Sequence, residues 1–160
     1  REAIVVHRVP TAAELVIPAP RLAVWAAATA EGEADPGEQL IVGAPTSGVG
    51  ARHLHVGPPL PPFGMRTVTY CEVTALQQGY WYTKVTLATS WEHTETLTLA
   101  DTADGQTLAR IDGWWTRAAP PGANFEAVRA HISELAAKRL KHIADRVEPE
   151  AAAAASQGSI

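Results

Sequence analysis

The chain has 160 residues, 46% of them hydrophobic and 19% charged, which suits a single globular domain with its own core. Thirteen basic against seventeen acidic residues give a net charge of −4 with no run of Lys or Arg, so neither nucleic acid nor an anionic membrane surface is expected as a partner. The one cysteine, Cys71, excludes an internal disulfide and a Cys-rich zinc site. No apolar run reaches the roughly 20 residues of a membrane span, and with no secretory signal visible the expected location is cytoplasmic.

In chain order, Ile4–Val9 reads as an edge strand and Ala12–Ile17 as a second strand. A short helix follows from Arg21 to about Ala28; Pro18 and Pro20 set its entry, and Val24 and Trp25 face inward. Residues 29–57 are rich in Gly, Pro and acid and carry no clear period. Runs rich in Thr, Val, Tyr and Trp then predict strands at Gly50–Val56, Met65–Val73, Tyr80–Ser90, Trp91–Ala100 and Thr107–Arg117. "GPPLPPFG" at 57–64 lacks too many N–H donors for a ladder strand and reads as a loop or lid. "QQGY" at 77–80 and "TADGQ" at 102–106 are turn signals, the second with Asp104-Gly105 supplying positive φ.

A long helix is predicted from Gly122 to about Val147, with Asn124 as N-cap and Glu126 in the first turn. Phe125, Val128, Ile132, Leu135, Leu140, Ile143 and Val147 form its apolar stripe, opposite Glu134, Lys138, Lys141 and Asp145. The helix is expected to stop before Pro149, leaving one domain over residues 1–148. An Ala-rich, low-complexity tail at 149–160 should then fray. The order calls for an α+β fold: a curved antiparallel sheet wrapped around one long C-terminal helix. Such a grip leaves a cavity unless large side chains fill it.

Three stretches carry a resemblance to a known family. "AELVIPAPRLAVWAAAT" is similar to a first strand entering a short helix, and "RTVTYCEVTALQQGYWYTKV" to a central hairpin. "LTLADTADGQTLARIDGWWTR", followed by the long helix, is similar to a closing hairpin and grip helix. Together they resemble the START/Bet v 1-like superfamily, which includes bacterial polyketide cyclases and aromatases, over most of the chain outside residues 29–50 and the tail. The resemblance implies a helix-grip fold with a cavity for a hydrophobic small molecule. It transfers no catalytic residues, and the second short helix usual in that family is not legible at 29–50.

The candidate chemistry begins in "SWEHTETLTL", residues 90–99. Alternation places Trp91, Leu97 and Leu99 on one face, and His93 and Glu95 with them. On a strand, residues i and i+2 share a face about 6.6 Å apart, near enough for a carboxylate to orient an imidazole. Burial raises the carboxyl pKa and lowers that of His, so the pair could exchange protons with a carbonyl substrate near neutral pH. A purely structural pair, with each other or with Arg110, is the competing reading.

Strand Met65–Val73 admits two phases. If Val68 faces in, so do Arg66, Tyr70 and Glu72; if Cys71 and Val73 face in, those polar groups meet water. Thr67 and Thr69 look outward, which favours the first phase, with Tyr70 donating to a substrate carbonyl oxygen. Trp81, Val85, Leu87 and Trp91, with Ile111 and Trp115 on the last strand and Ile132 and Leu135 on the helix, are expected to line the cavity. By the same phasing Tyr82 and Lys84 are solvated, Arg110–Asp112 is a surface pair, and Trp114 faces out, where a homodimer partner would cover it. His53 and His55 are expected outward because Leu54 and Val56 suit the core, so no metal is expected. Nor does the sequence carry a phosphate loop or nucleophile elbow, and it asks for no cofactor. Two functions fit: a polyketide cyclase-like enzyme closing rings on a poly-carbonyl or polyene chain, or a non-catalytic carrier of a hydrophobic small molecule or lipid. A domain with a solid core and only surface interactions is a third.

Overall fold

A computed structural model describes residues 3–30 and 38–157, with only the backbone described at 38–39 and beyond 147. The elements run β1 (Val5–Ile17), α1 (Arg21–Thr29), β2 (Glu38–Ile41), β3 (Arg52–Val56), β4 (Val68–Gln77), β5 (Trp81–Leu87), β6 (Glu92–Asp101), β7 (Thr107–Ala119) and α2 (Glu126–Gln157). All seven strands form one antiparallel sheet in the order β1-β7-β6-β5-β4-β3-β2. Helix α2 packs chiefly on β1, α1 and β7, so it grips one side of the sheet's inner face.

The two strands expected before α1 are one strand of 13 residues, paired along its length with β7. Pro10 sits within it at no ladder cost beyond its own missing donor, because β1 is an edge strand. Pro20 precedes α1 in extended conformation, and Val24, Trp25, Ala27 and Ala28 are buried. The β6–β7 turn closes on Gly105, whose φ of 72° is the left-handed value that glycine takes without strain. The Asn124 side chain accepts the Glu126 N–H at 2.9 Å, so the helix begins at Glu126, four residues after the expected start. Nor does it stop before Pro149: the helical backbone continues to Gln157, so one missing N–H does not end it. The unassigned stretch contributes the short strand β2; residues 31–37 of it, and 158–160 of the tail, lie outside the described residues.

The hydrophobic core lies where α1 and α2 meet the inner face. Ile17, Val24, Leu97, Leu99, Ile111, Leu140, Ile143 and Val147 are all essentially inaccessible there. Thr107 is buried among them because its hydroxyl donates to the Ala19 carbonyl oxygen at 2.7 Å. Leu135 is an exception to the expected stripe: it is half exposed, and Ala136 takes the buried position.

Candidate functional site

Strand pairing fixes which side chains share the inner face. Leu97 pairs with Tyr82 and Ile111, and one step along, Glu95 pairs with Lys84 and Gly113, and Gly113 with Thr11. A step further, His93 pairs with Thr86 and Trp115, Thr86 with Cys71, and Cys71 with His53. The inner face therefore passes from hydrocarbon at Leu97 and Leu99 to charge at Glu95 and His93 within one strand.

Glu95 is 8% exposed, which an isolated carboxylate could not sustain. Its Oε1 accepts a charge-assisted hydrogen bond from Nη1 of Arg139 on α2, while Nη2 of the same guanidinium donates to the Tyr82 hydroxyl at 2.6 Å. Lys84 Nζ stands 3.7 Å from Oε1 and His93 Nδ1 3.8 Å from Oε2. Burial alone would push the Glu95 carboxyl up, but Arg139, Lys84 and His93 together outweigh it and hold the group down at about 2. Glu95 is thus a permanent carboxylate at neutral pH. On His93 burial acts the other way, lowering the pKa; the Glu95 charge opposes that, and Lys84 and Arg139 reinforce it. The imidazole is consequently held toward its neutral form. Its Nε2 lies 3.4 Å from the Thr11 hydroxyl, so Glu95 and His93 of β6 and Thr11 of β1 form a line of polar groups. In the tautomer that the Glu95 charge favours, with the proton on Nδ1, the Nε2 lone pair is directed toward the Thr11 hydroxyl.

Other expected residues fall elsewhere. Tyr70 pairs with Leu87 and Glu72 with Val85, all on the outer face with Trp81, while Val68 and Arg66 are exposed. The favoured phase is therefore reversed: Cys71 and Val73 face inward, and Arg66, Val68, Tyr70, Glu72, Trp81, Val85 and Leu87 do not line the interior. Thr69 and Thr86 run against the expected phase because they sit inside; the Thr86 hydroxyl is satisfied there by Cys71 Sγ at 3.3 Å. Trp81 is held outside by its indole N–H, which donates to the Gln77 side chain at 3.2 Å. A bulge between Val73 and Ala75 shifts the register, so Val73 and Leu76 share a face three residues apart. Tyr82 and Lys84, expected in solvent, belong to the inner cluster.

His53 and His55 also face inward, and a buried Nε2 of His55 has no hydrogen-bond partner. Among the described residues no three His, Cys, Asp or Glu side chains converge closely enough to hold a metal. Trp91 is half buried at the entry to β6; Ile111 and Trp115 are buried, the latter edge-on to Phe125 at 5.2 Å, and Ile132 is half buried. Trp114 faces out as expected, with the Arg8 guanidinium 5.1 Å above its ring. Arg110 and Asp112 pair on the outer surface at 3.3 Å.

Gly113, between Thr11 and Glu95, leaves the sheet without a side chain, and a Cβ there would collide with the Thr94 carbonyl oxygen. Beside it lies an open space of about 420 Å3, bordered mainly by outer-face residues such as Thr94, Thr96, Asp112 and Trp114, and reaching Thr11, Gly113 and, on α2, Arg129 and Ser133. That is within the range of small-molecule sites. Its lining reaches Thr11 but includes neither His93 nor Glu95.

This architecture is the Bet v 1-like, helix-grip fold. Solved structures similar to it include Ara h 8.0201, with a TM-score of 0.70 and 15% identity over 91% of this chain and 99% of that one. The protein TTHA0849 from Thermus thermophilus superposes with a TM-score of 0.61 and 16% identity, covering 88% of this chain and 98% of its own. DynU16, from the dynemicin biosynthetic locus, matches with a TM-score of 0.60 and 19% identity over 87% of this chain and 47% of that longer one. No protein-family model and no curated protein matches the sequence. Among the described residues, no helix is long and apolar enough to cross a membrane.

Proposed function

We propose that the inner face receives a hydrophobic poly-carbonyl molecule and that His93 serves as the base for its ring closure, in the manner of a polyketide cyclase. The observation that carries this reading is an inward histidine, held toward its neutral form, that lies between a buried carboxylate and a threonine hydroxyl. His93 Nε2 takes a proton from a carbon flanked by carbonyls, and the electron pair moves onto the carbonyl oxygen as an enolate. The enolate carbon attacks a second carbonyl of the same molecule, closing the ring. The resulting alkoxide recovers the proton from the imidazolium, and loss of water then gives the enone. Glu95 is no acid in this scheme. Its fixed charge orients the imidazole and stabilises the imidazolium while it lasts. Holding the chain in a near-attack shape against the apolar wall supplies the remainder.

The test is ring closure of a 1,3,7-triketone bearing an alkyl tail, whose C2 lies between two carbonyls and can attack C7, followed by the ultraviolet absorbance of the cyclic enone. His93→Gln should lower turnover about 10²- to 10⁴-fold, the usual worth of a positioned base, with the tail still bound. Equal rates with both proteins, or no closure by either while the triketone binds, would favour the carrier reading. In that case the cluster only orients a ligand's polar end.

A further inference from the structure

The Glu95 carboxylate has two cations and one imidazole around it, and they are not placed alike. Arg139 is bonded to Oε1 and to the Tyr82 hydroxyl, bridging α2 to the sheet. Lys84 forms an ion pair with the same Oε1 at 3.7 Å, beyond hydrogen-bond length, and among the described residues no group accepts a hydrogen bond from its ammonium. Its side chain is only 19% exposed, so bulk water does not surround it either. Pairing with Val73 and Glu95 fixes it on the inner face of β5, away from the strands that α2 covers most. Three donors on a largely buried ammonium, facing the side of the sheet the helix leaves open, call for an acceptor.

Building on the ligand-binding reading above, we propose that Lys84 receives a negatively charged oxygen of the ligand, so that the protein selects hydrophobic molecules bearing a carboxylate or an enolate over neutral ones of the same shape. Lys84 and His93 flank the two oxygens of one carboxylate. In the ring-closing scheme the enolate oxygen formed when His93 takes its proton is the charge that Lys84 would meet. Tyr70, the donor expected from the sequence, is on the other face of the sheet and cannot fill that role.

The experiment compares binding of decanoate and decan-1-ol, by calorimetry, to the wild-type protein, Lys84→Met and Lys84→Arg. Decanoate should bind the wild type about tenfold more tightly than the alcohol, the size of one charge-assisted hydrogen bond. Lys84→Met should bring the ratio near one, and Lys84→Arg should restore most of it. The net charge of −4 works against a carboxylate preference arising from the surface at large. If the wild type binds both probes equally, or if Lys84→Met keeps the preference, the assignment to Lys84 is wrong and ligand binding stands. If neither probe binds, the ligand-binding reading fails and takes this inference with it. Lys84→Gln gives the same comparison where the methionine variant does not fold. A second probe, 1-phenylbutane-1,3-dione, separates the two oxygens by its enolate absorbance. An ionisation midpoint lowered by about one pH unit on the wild type, but not on Lys84→Met, selects the enolate; an unchanged midpoint selects the carboxylate.

Discussion

Two halves of one strand divide the labour of the inner face. At Leu97 and Leu99, β6 meets Ile111, Leu140 and Ile143 in a packed interior closed by α1 and α2. At Glu95 and His93, two residues earlier on the same face, it meets Lys84, Arg139 and Thr11. The first half gains stability by removing hydrocarbon from water. The second needs a guanidinium from the opposite layer merely to make its carboxylate tolerable, an arrangement that packed apolar residues would often match in stability. Stability alone does not ask for it.

Mutation sharpens the contrast, beginning with the apolar half. Leu97→Ala should cost about 2–5 kcal/mol in denaturant unfolding, since the side chain is fully enclosed and its neighbours are held by two helices. Glu95→Gln should cost less, about 2 kcal/mol: Arg139 and Lys84 lose the Glu95 charge but are each nearly a fifth exposed, and water relieves part of the strain. A cost for Glu95→Gln as large as for Leu97→Ala would make the polar half structural.

Acid should distinguish the halves as well. The His93 and Glu95 pKa values both lie below their ordinary values of 6.5 and 4.5, so the unfolded chain binds more protons than the folded one. Stability should therefore begin to fall as pH drops through 6.5, where His93 protonates in the unfolded state. It should fall further between 4.5 and about 2, as Glu95 follows. Thermal melts of Glu95→Gln should lose the lower part of that slope and those of Leu97→Ala should keep it. The smallest stability effect belongs to His93→Gln, under about 1 kcal/mol at neutral pH, because the imidazole is neutral there and makes one long contact to Thr11. A large fall in ring closure with so small a fall in stability would set the two halves furthest apart.

The sequence carried the order of elements well. The hairpin at Gly105, the proline-entered helix and the long amphipathic helix are local features with local causes. Alternation in β6 also placed His93 and Glu95 beside Leu97 and Leu99. It failed in β4 and β5, where both faces mix polar and apolar residues and the bulge at Val73–Ala75 breaks the period. There Trp81 and Val85 look like core and lie outside, while Lys84 looks solvated and lies inside. Only the partner strand decides such cases. Arg139 had a readable sign: three residues after Ala136 and four before Ile143, it lies along the buried stripe. A cation at that position asks for an anion on the sheet, and the alternation in β6 already turns Glu95 that way.

Gly113 has a consequence for how such a site can change. Between Thr11 and Glu95 the Thr94 carbonyl forbids any larger residue, so drift cannot alter the neighbouring space from this position. Any change in the shape of that space has to come from its edge instead, at Thr11, or at Ser133 and Arg129 on the helix. The floor is inherited unchanged while the walls remain free to vary.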